Sequence, residues 1–248
     1  MEIWQIILLA LVGVAAGWLN VMAGGGSLLT VPVMLFMGIP APVANGTNRI
    51  AILAQNVTAV TAFRRRGYSD FKLGFSLAGA ASIGAIGGAS LGVHLEGVWF
   101  DRILALVMVG VMLLMATGHD KVKPSGGDEK AKNLLAGHLL MIGAGFWGGF
   151  IQIGVGFILM PILHKVLGLD LVRVNMHKVF IVLVYTLVAL TVFATNLELL
   201  WWTGMGLAIG NSIGGWLGAH TTITHGEALI RRVLYIALSA FVVKLLFF

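Results

Sequence analysis

Two glycine-containing turns interrupt apolar stretches of this chain and carry groups suited to binding a small anion. The first is AGGGS, in which Gly24, Gly25 and Gly26 precede Ser27, and the second is QIGVG, residues 152–156. Irregular backbone survives at membrane depth only where protein or a water-filled cavity satisfies its polar groups. A helix that starts there offers unpaired N–H groups and the positive end of its dipole, and both attract anions. Two such helix starts facing each other predict a site for a small oxyanion.

A cation follows each turn at an equivalent position. Arg49 comes after Asn48 in the first half, and Lys178 comes after His177 in the second. A charge inside a membrane is costly and usually functional, and positive charges suit an anion pathway, although snorkelling to the nearer interface is the alternative. The predicted substrate-binding residues are Asn20, Gly24, Gly25, Gly26, Ser27, Asn48, Arg49, Gln152, Gly154, Gly156, His177 and Lys178.

The sequence argues against catalysis and metal binding. It contains no cysteine, and its predicted membrane segments hold almost no carboxylate, since Asp101 and Glu198 fall at helix ends. It also lacks a nucleotide-binding loop, a metal-ligand cluster and a nucleophile motif. We therefore predict that the chain is not an enzyme and has no catalytic residues, no metal and no cofactor. If transport is coupled to protons, His177 or the substrate itself must carry them.

The elements that position these residues must be membrane helices. The 248 residues are 58% hydrophobic and 10% charged, with a mean hydropathy of +0.97, whereas about 25% charged residues is usual in a soluble domain. The N-terminal segment carries Glu2 and lacks the basic residues that begin a cleaved signal peptide, so we expect a retained first helix. We assign the net charge of +6 to cytoplasmic loops and predict no nucleic-acid partner.

Helix lengths divide the chain into spans and hairpins. A membrane helix needs about 20 apolar residues, and the predicted spans are 45–63, 72–93, 99–117, 172–195, 198–219 and 229–248. Two longer segments, 3–38 and 133–168, contain the glycine turns and are predicted to be helical hairpins. Glycine runs at 79–92 and 204–218 are predicted to let helices pack closely.

The two halves are predicted to be copies of each other. A shift of 129 residues superposes Pro32 on Pro161 and Arg49 on Lys178. We predict a first membrane repeat at 1–117, a cytoplasmic linker at 118–132 and a second membrane repeat at 133–248.

Basic residues predict the orientation of these repeats. They cluster at 64–72, 119–133 and 231–232, and the positive-inside rule places such segments in the cytoplasm. The halves are then inverted repeats in an all-α integral membrane protein, each with a glycine-broken hairpin and three transmembrane helices. The total is eight full spans plus short hairpin elements, or ten spans. In the alternative each hairpin crosses once, the halves are parallel, and Arg231 and Arg232 lie outside. Inverted repeats with matching broken helices are typical of secondary transporters.

The stretch AGGGSLLTVPVMLFMGIPAPVANGTNRIAI and its weaker echo GGFIQIGVGFILMPILHKVLGLDLVRVNMHK resemble the sulfite exporter TauE/SafE family, also called the 4-toluene sulfonate uptake permease family. The resemblance covers the whole chain and implies a multi-pass permease of the cytoplasmic (inner) membrane for sulfite, organosulfonates or similar sulfur-containing anions. The second stretch replaces the glycine triplet, so the role of the first turn carries over to it less closely. The family includes importers and exporters.

The leading hypothesis is therefore a secondary transporter of a small sulfur-containing anion. The expected partners are that anion and membrane lipid, and the sequence leaves open whether the chain forms a homodimer. The alternatives are a transporter of another small anion such as a carboxylate, a transporter of a cation, and a non-transporting membrane assembly protein.

Overall fold

The computed structural model of the chain describes residues 3–94 and 131–247, except for the side chains of most residues after His225. Regular structure in these ranges is helical, which confirms the predicted all-α class. The predicted span 99–117, and the linker 118–132 up to residue 130, lie outside the described residues. The helices are α1 (Ile3–Met22), α2 (Ser27–Phe36), α3 (Ala41–Arg65), α4 (Phe71–His94), α5 (Leu134–Phe150), α6 (Val155–Pro161, continued by a π-helical turn at Ile162–Val166), α7 (Leu171–Asn196) and α8 (Trp201–Phe247).

Three of the described helices are long and apolar enough to cross a membrane, namely α1 from Trp4 onward, α4 and α7. Helices α2, α5 and α6 with its π-helical turn are apolar but shorter. Helix α3 contains the predicted span 45–63, and it is long but carries Asn48, Arg49 and Gln55, all almost fully buried. These three polar side chains therefore face other helices and not lipid.

Both predicted helix breaks are present. The gap between α1 and α2 contains Gly24 with a φ of 89°, a left-handed conformation that ends a right-handed helix. The gap between α5 and α6 contains Gln152 with a φ of 67° and Gly154 with a φ of 70°. Few residues other than glycine adopt a positive φ, and such strained positions concentrate at functional sites.

The two hairpins pack crosswise onto the other half of the chain. Helix α1 lies along α8 and α5 lies along α4, while α3 also packs on α8 and α7 on α4. Glycines let these backbones touch, because a Cβ at Gly84 or Gly88 would overlap the backbone of α5 and a Cβ at Gly210 or Gly214 that of α1. The packing role predicted for both glycine runs is confirmed.

The predicted spans 198–219 and 229–248 are not separate helices, since α8 runs through both of them. The residues between the two spans, HTTITHGEA, contain no proline. A single glycine such as Gly226 weakens a helix by only about 1 kcal/mol relative to alanine. The helix therefore continues where the sequence suggested a loop.

Candidate anion-binding site

The two helix breaks touch each other. A Cβ added at Gly24 would overlap the Cα of Gly156, and a Cβ at Gly156 would overlap the Cα of Gly24. Only glycine fits at either position without moving the backbone. The break that precedes α2 therefore meets the first turn of α6 in the interior of the protein.

A pocket opens beside this contact. Its lining comes from α1, both breaks, α3 and α7, and consists of Asn20, Gly24, Ser27, Asn56, Gln152, Val155, Gly156, Lys178, Val179 and Val182. Six of the predicted residues are in this lining, whereas sequence analysis missed Asn56 and the three valines. The available signal for Asn56 was its position about two helical turns after Asn48, on the same amide-rich helix.

The pocket is narrow in this conformation. Its empty space is about 280 Å³ when counted to its open mouth, but the part that a solvent molecule can occupy is far smaller. That is room for about one water molecule. The lining helices must separate before a larger anion can enter.

Lys178 places a positive charge at this pocket. Its side chain is almost completely buried. The ammonium Nζ donates hydrogen bonds to the carbonyl oxygen of Val21 at 2.7 Å and to Oδ1 of Asn175 at 2.8 Å. An ammonium has three N–H groups, so these two acceptors, within the part of the chain that the structure describes, leave one N–H for a ligand.

Ser27 and Asn20 add neutral donors to the lining, and Asn48 supports Ser27 from outside it. Asn48 donates from Nδ2 to the hydroxyl of Ser27 at 3.1 Å and accepts from the hydroxyl of Thr30 at 2.7 Å. Ser27 therefore acts as an acceptor toward α3 and keeps its own proton for the pocket. Asn20 donates from Nδ2 to Oε1 of Gln55 at 3.2 Å, which leaves its second amide proton available.

Arg49 does not line the pocket, although it is fully buried. Its Nη1 donates to the carbonyl oxygen of Gly148 at 2.9 Å and to Oε1 of Gln152 at 2.7 Å, and its Nη2 donates to the carbonyl oxygen of Gly149. Its Cζ lies 4.5 Å from the ring centroid of Phe193. Arg49 thus satisfies the carbonyl end of α5, where the helix dipole is negative, and it reaches the pocket through Gln152.

The other predicted glycines shape the turns from outside the lining. A Cβ at Gly25 would lie 3.0 Å from the ring of Phe157. A Cβ at Gly26 would lie 2.6 Å from Cβ of Asn20. Gly154 supplies the positive φ that precedes α6. Gly25 thus contacts the second hairpin and Gly26 lies against α1, and none of the three glycines is in the pocket lining.

His177 also lies outside the pocket. Its Nε2 is 3.8 Å from Oδ2 of Asp70, in the connection between α3 and α4. Neither of its buried ring nitrogens has a hydrogen-bond partner among the described residues. The two adjacent residues His177 and Lys178, both predicted to bind the substrate, therefore lie on different sides of α7, and only Lys178 lines the pocket.

The pocket chemistry fits an anion. Its lining contains one ammonium, several neutral donors and no carboxylate. Within residues 3–94 and 131–247, no group of three or more His, Cys, Asp or Glu side chains could hold a metal ion.

Comparison with known proteins assigns the chain to a family. The family model described as sulfite exporter TauE/SafE matches residues 9–245. The chain belongs to the TauE/SafE family. A probable membrane transporter protein, ORF9 of Sinorhizobium sp, is 27% identical to this TauE/SafE chain over 235 residues, which cover 93% of this chain and 88% of the relative.

Two further relatives of the TauE/SafE chain carry similar names. The probable membrane transporter protein YfcA of Escherichia coli strain K12 is 25% identical over 243 residues, covering 95% of this chain and 87% of that protein. A probable membrane transporter protein of Haemophilus influenzae is 27% identical over 229 residues, covering 91% and 88%. No solved structure matches the TauE/SafE chain significantly. Its family, its relatives and its apolar helices identify it as a multi-pass membrane transporter.

Proposed function

We propose that this chain is a secondary transporter that moves a small sulfur-containing anion, such as sulfite or an organosulfonate, across the cytoplasmic membrane. The observation that carries the proposal is the pocket where two broken helices meet, with Lys178 as its one charged lining residue. Sulfonate and sulfite oxygens accept hydrogen bonds from an ammonium, a hydroxyl and amide N–H groups, and Ser27 and Asn20 supply such neutral donors. A cation would meet Lys178 without a compensating carboxylate in the lining, which disfavours a cation transporter.

The sulfur-containing substrate class is supported by the description of the family, sulfite exporter TauE/SafE. A small substrate agrees with the narrow space on which several lining groups converge. The three lining valines leave an apolar wall that suits the carbon end of a short organosulfonate.

Reciprocal contacts support the further proposal of two inverted repeats. Arg49 of the first half donates to the carbonyl end of α5 in the second half. Lys178 of the second half donates to Val21, next to the last residue of α1 in the first half. The crosswise packing of α1 on α8 and of α5 on α4 repeats this exchange. A pseudo-twofold axis between the halves accounts for both, and relative movement of the halves would open the narrow pocket to each side in turn.

Transport assays test this proposal. Purified protein is reconstituted in proteoliposomes, and uptake of radiolabelled sulfite and of methanesulfonate is measured for wild type, Ser27→Ala and Lys178→Met. The matched controls are Ser82→Ala, whose hydroxyl donates to the carbonyl oxygen of Ala78 in its own helix, and Lys72→Met, which is exposed. We expect saturable uptake by wild type and by both controls, with strong loss in Lys178→Met.

Two results would count against the proposal. Absence of uptake of both anions by folded wild-type protein would overturn the substrate assignment. Equal uptake by Lys178→Met and Lys72→Met would show that the pocket is not the binding site, even if the anion is transported.

A further inference from the structure

His177 is a buried titratable residue of α7. Its side chain is 1% exposed, and neither ring nitrogen has a hydrogen-bond partner among the described residues. Imidazole carries at least one N–H donor in every protonation state, and nearly all buried polar groups in proteins are hydrogen-bonded. The imidazole is therefore open to a hydrogen-bond partner that the described residues do not supply in this conformation.

Asp70 is placed to be that partner. Its Oδ2 lies 3.8 Å from Nε2 of His177, beyond the usual 2.7–3.2 Å for a hydrogen bond. Its Oδ1 accepts a hydrogen bond from the amide of Leu73 at 3.2 Å, in the first turn of α4. The carboxylate is half exposed, at 52%. A half-exposed carboxylate thus lies 3.8 Å from a buried imidazole.

A cleft leads to this carboxylate from the surface. It has an empty volume of about 250 Å³ and lies between α7 and the connection from α3 to α4, with Arg64, Tyr68, Ser69, Asp70, Met176 and Phe180 among its lining residues. The positive-inside rule places this connection on the cytoplasmic side. Protons from that side can reach Asp70 through the cleft, and through Asp70 they can reach the imidazole.

The other charges around the imidazole are already committed. Asp170 and Arg173, at the start of α7, pair with each other at 3.5 Å. Lys178 points to the carbonyl oxygen of Val21 on the other side of α7. Arg64 lies over the ring of Phe71, with Cζ 5.6 Å from the ring centroid. The Asp70 carboxylate is the charge that remains to stabilise an imidazolium.

We infer that His177, together with Asp70, is the binding site for the proton that drives transport, an inference that rests on the proposed transport function. A proton entering from the cleft converts the imidazole to imidazolium, which donates from Nε2 to Asp70 in a charge-assisted hydrogen bond. Closing the gap draws the connection between α3 and α4 against α7. The next residue on α7, Lys178, lines the anion pocket, so one helix contacts both the proton and the substrate.

The decisive experiment separates proton coupling from anion movement. Proteoliposomes are assayed for methanesulfonate uptake driven by an imposed pH gradient and for counterflow, which exchanges labelled for unlabelled substrate without a gradient. Methanesulfonate is a suitable probe because its charge does not change with pH in this range. Wild type should show both activities. His177→Gln should keep counterflow but lose most of the increase in methanesulfonate uptake that the pH gradient produces.

Two further variants keep the test falsifiable if His177→Gln fails to fold. Asp70→Asn removes the charge but preserves the helix cap, since asparagine and aspartate cap equally well, and it should reduce stimulation by the gradient severalfold. His138→Gln is the control, because this partly exposed histidine bonds to Ser76 and neither residue lines the cleft. Full stimulation in Asp70→Asn, or equal loss in His138→Gln, would overturn the inference.

A measurement without substrate distinguishes failure of this inference from failure of the proposed function. Protein labelled with ¹⁵N-histidine is titrated in detergent and observed by NMR, and the resonance missing from His177→Gln is assigned to His177. A titrating resonance whose pH dependence changes in Asp70→Asn supports the proton site even if sulfite and methanesulfonate are not carried. A His177 resonance that does not titrate in the pH range of histidine overturns the proton site even if both anions are transported.

Discussion

Removing the Arg49 guanidinium should destabilise the protein, because Arg49 satisfies the end of a broken helix. Three oxygens depend on it, the carbonyls of Gly148 and Gly149 and Oε1 of Gln152. A hydrogen bond to a charged group is worth about 1.5–3 kcal/mol in soluble proteins, and hydrogen bonds between membrane helices average about 0.6 kcal/mol. For Arg49→Gln the combined loss is about 2–5 kcal/mol in the free energy of unfolding.

Thermal unfolding in detergent measures this loss. One kcal/mol shifts Tm by roughly 2–4 °C in a chain of this size, so Arg49→Gln should unfold on the order of 10 °C below wild type. Arg49→Lys keeps the charge but not the planar fork that reaches several oxygens at once, and it should fall between the two. The control is Arg65→Gln, an exposed arginine at the end of the same helix.

The result that would refute this reasoning is a Tm of Arg49→Gln equal to that of Arg65→Gln. Such a result would mean that water or a rearranged backbone satisfies the end of α5 without the guanidinium. A second outcome, normal stability with abolished anion uptake, would show that Arg49 contacts the substrate directly in another conformation.

Three other substitutions test the site. Gly156→Ala should unfold earlier than Gly143→Ala in the same thermal assay, because an added Cβ meets the backbone of the first break at one position and open space at the other; equal Tm values would contradict the close contact. Lys178→Met should raise the KM for sulfite uptake about tenfold or more, the loss expected for a hydrogen bond from a charged donor, and an unchanged KM at equal amounts of reconstituted protein would count against its role. Asn48→Ala should raise KM by about two- to tenfold, less than Lys178→Met, because it positions the hydroxyl of Ser27 through one neutral hydrogen bond; an effect as large as that of Lys178→Met would place Asn48 itself on the substrate.

The sequence was sufficient for the helix breaks because their cause is local. Glycine permits the positive φ at Gly24 and Gly154, and this preference is visible in the residue type. It was less informative about α8, where a loop was predicted and a continuous helix is found. Helix boundaries without proline or a clear cap depend on small differences in free energy that composition does not resolve.

The roles of the two cations could not be separated from the sequence. Arg49 and Lys178 occupy matching positions, and both were predicted to bind the substrate. In the folded protein Lys178 lines the pocket while Arg49 satisfies helix α5 and contacts the pocket through Gln152. The difference depends on which carbonyl oxygens each side chain can reach, and these belong to the opposite half of the chain.

The sequence by itself determined that this is a helical membrane protein of the TauE/SafE family, with two broken helices and buried cations, because apolar composition, glycine and charge act locally. The tertiary structure alone decided that the breaks meet at Gly24 and Gly156, that Asn56 joins the pocket, and that His177 faces Asp70. These relations join residues separated by tens to more than a hundred positions in the chain. They are set by how helices pack across the two halves, which no local preference encodes.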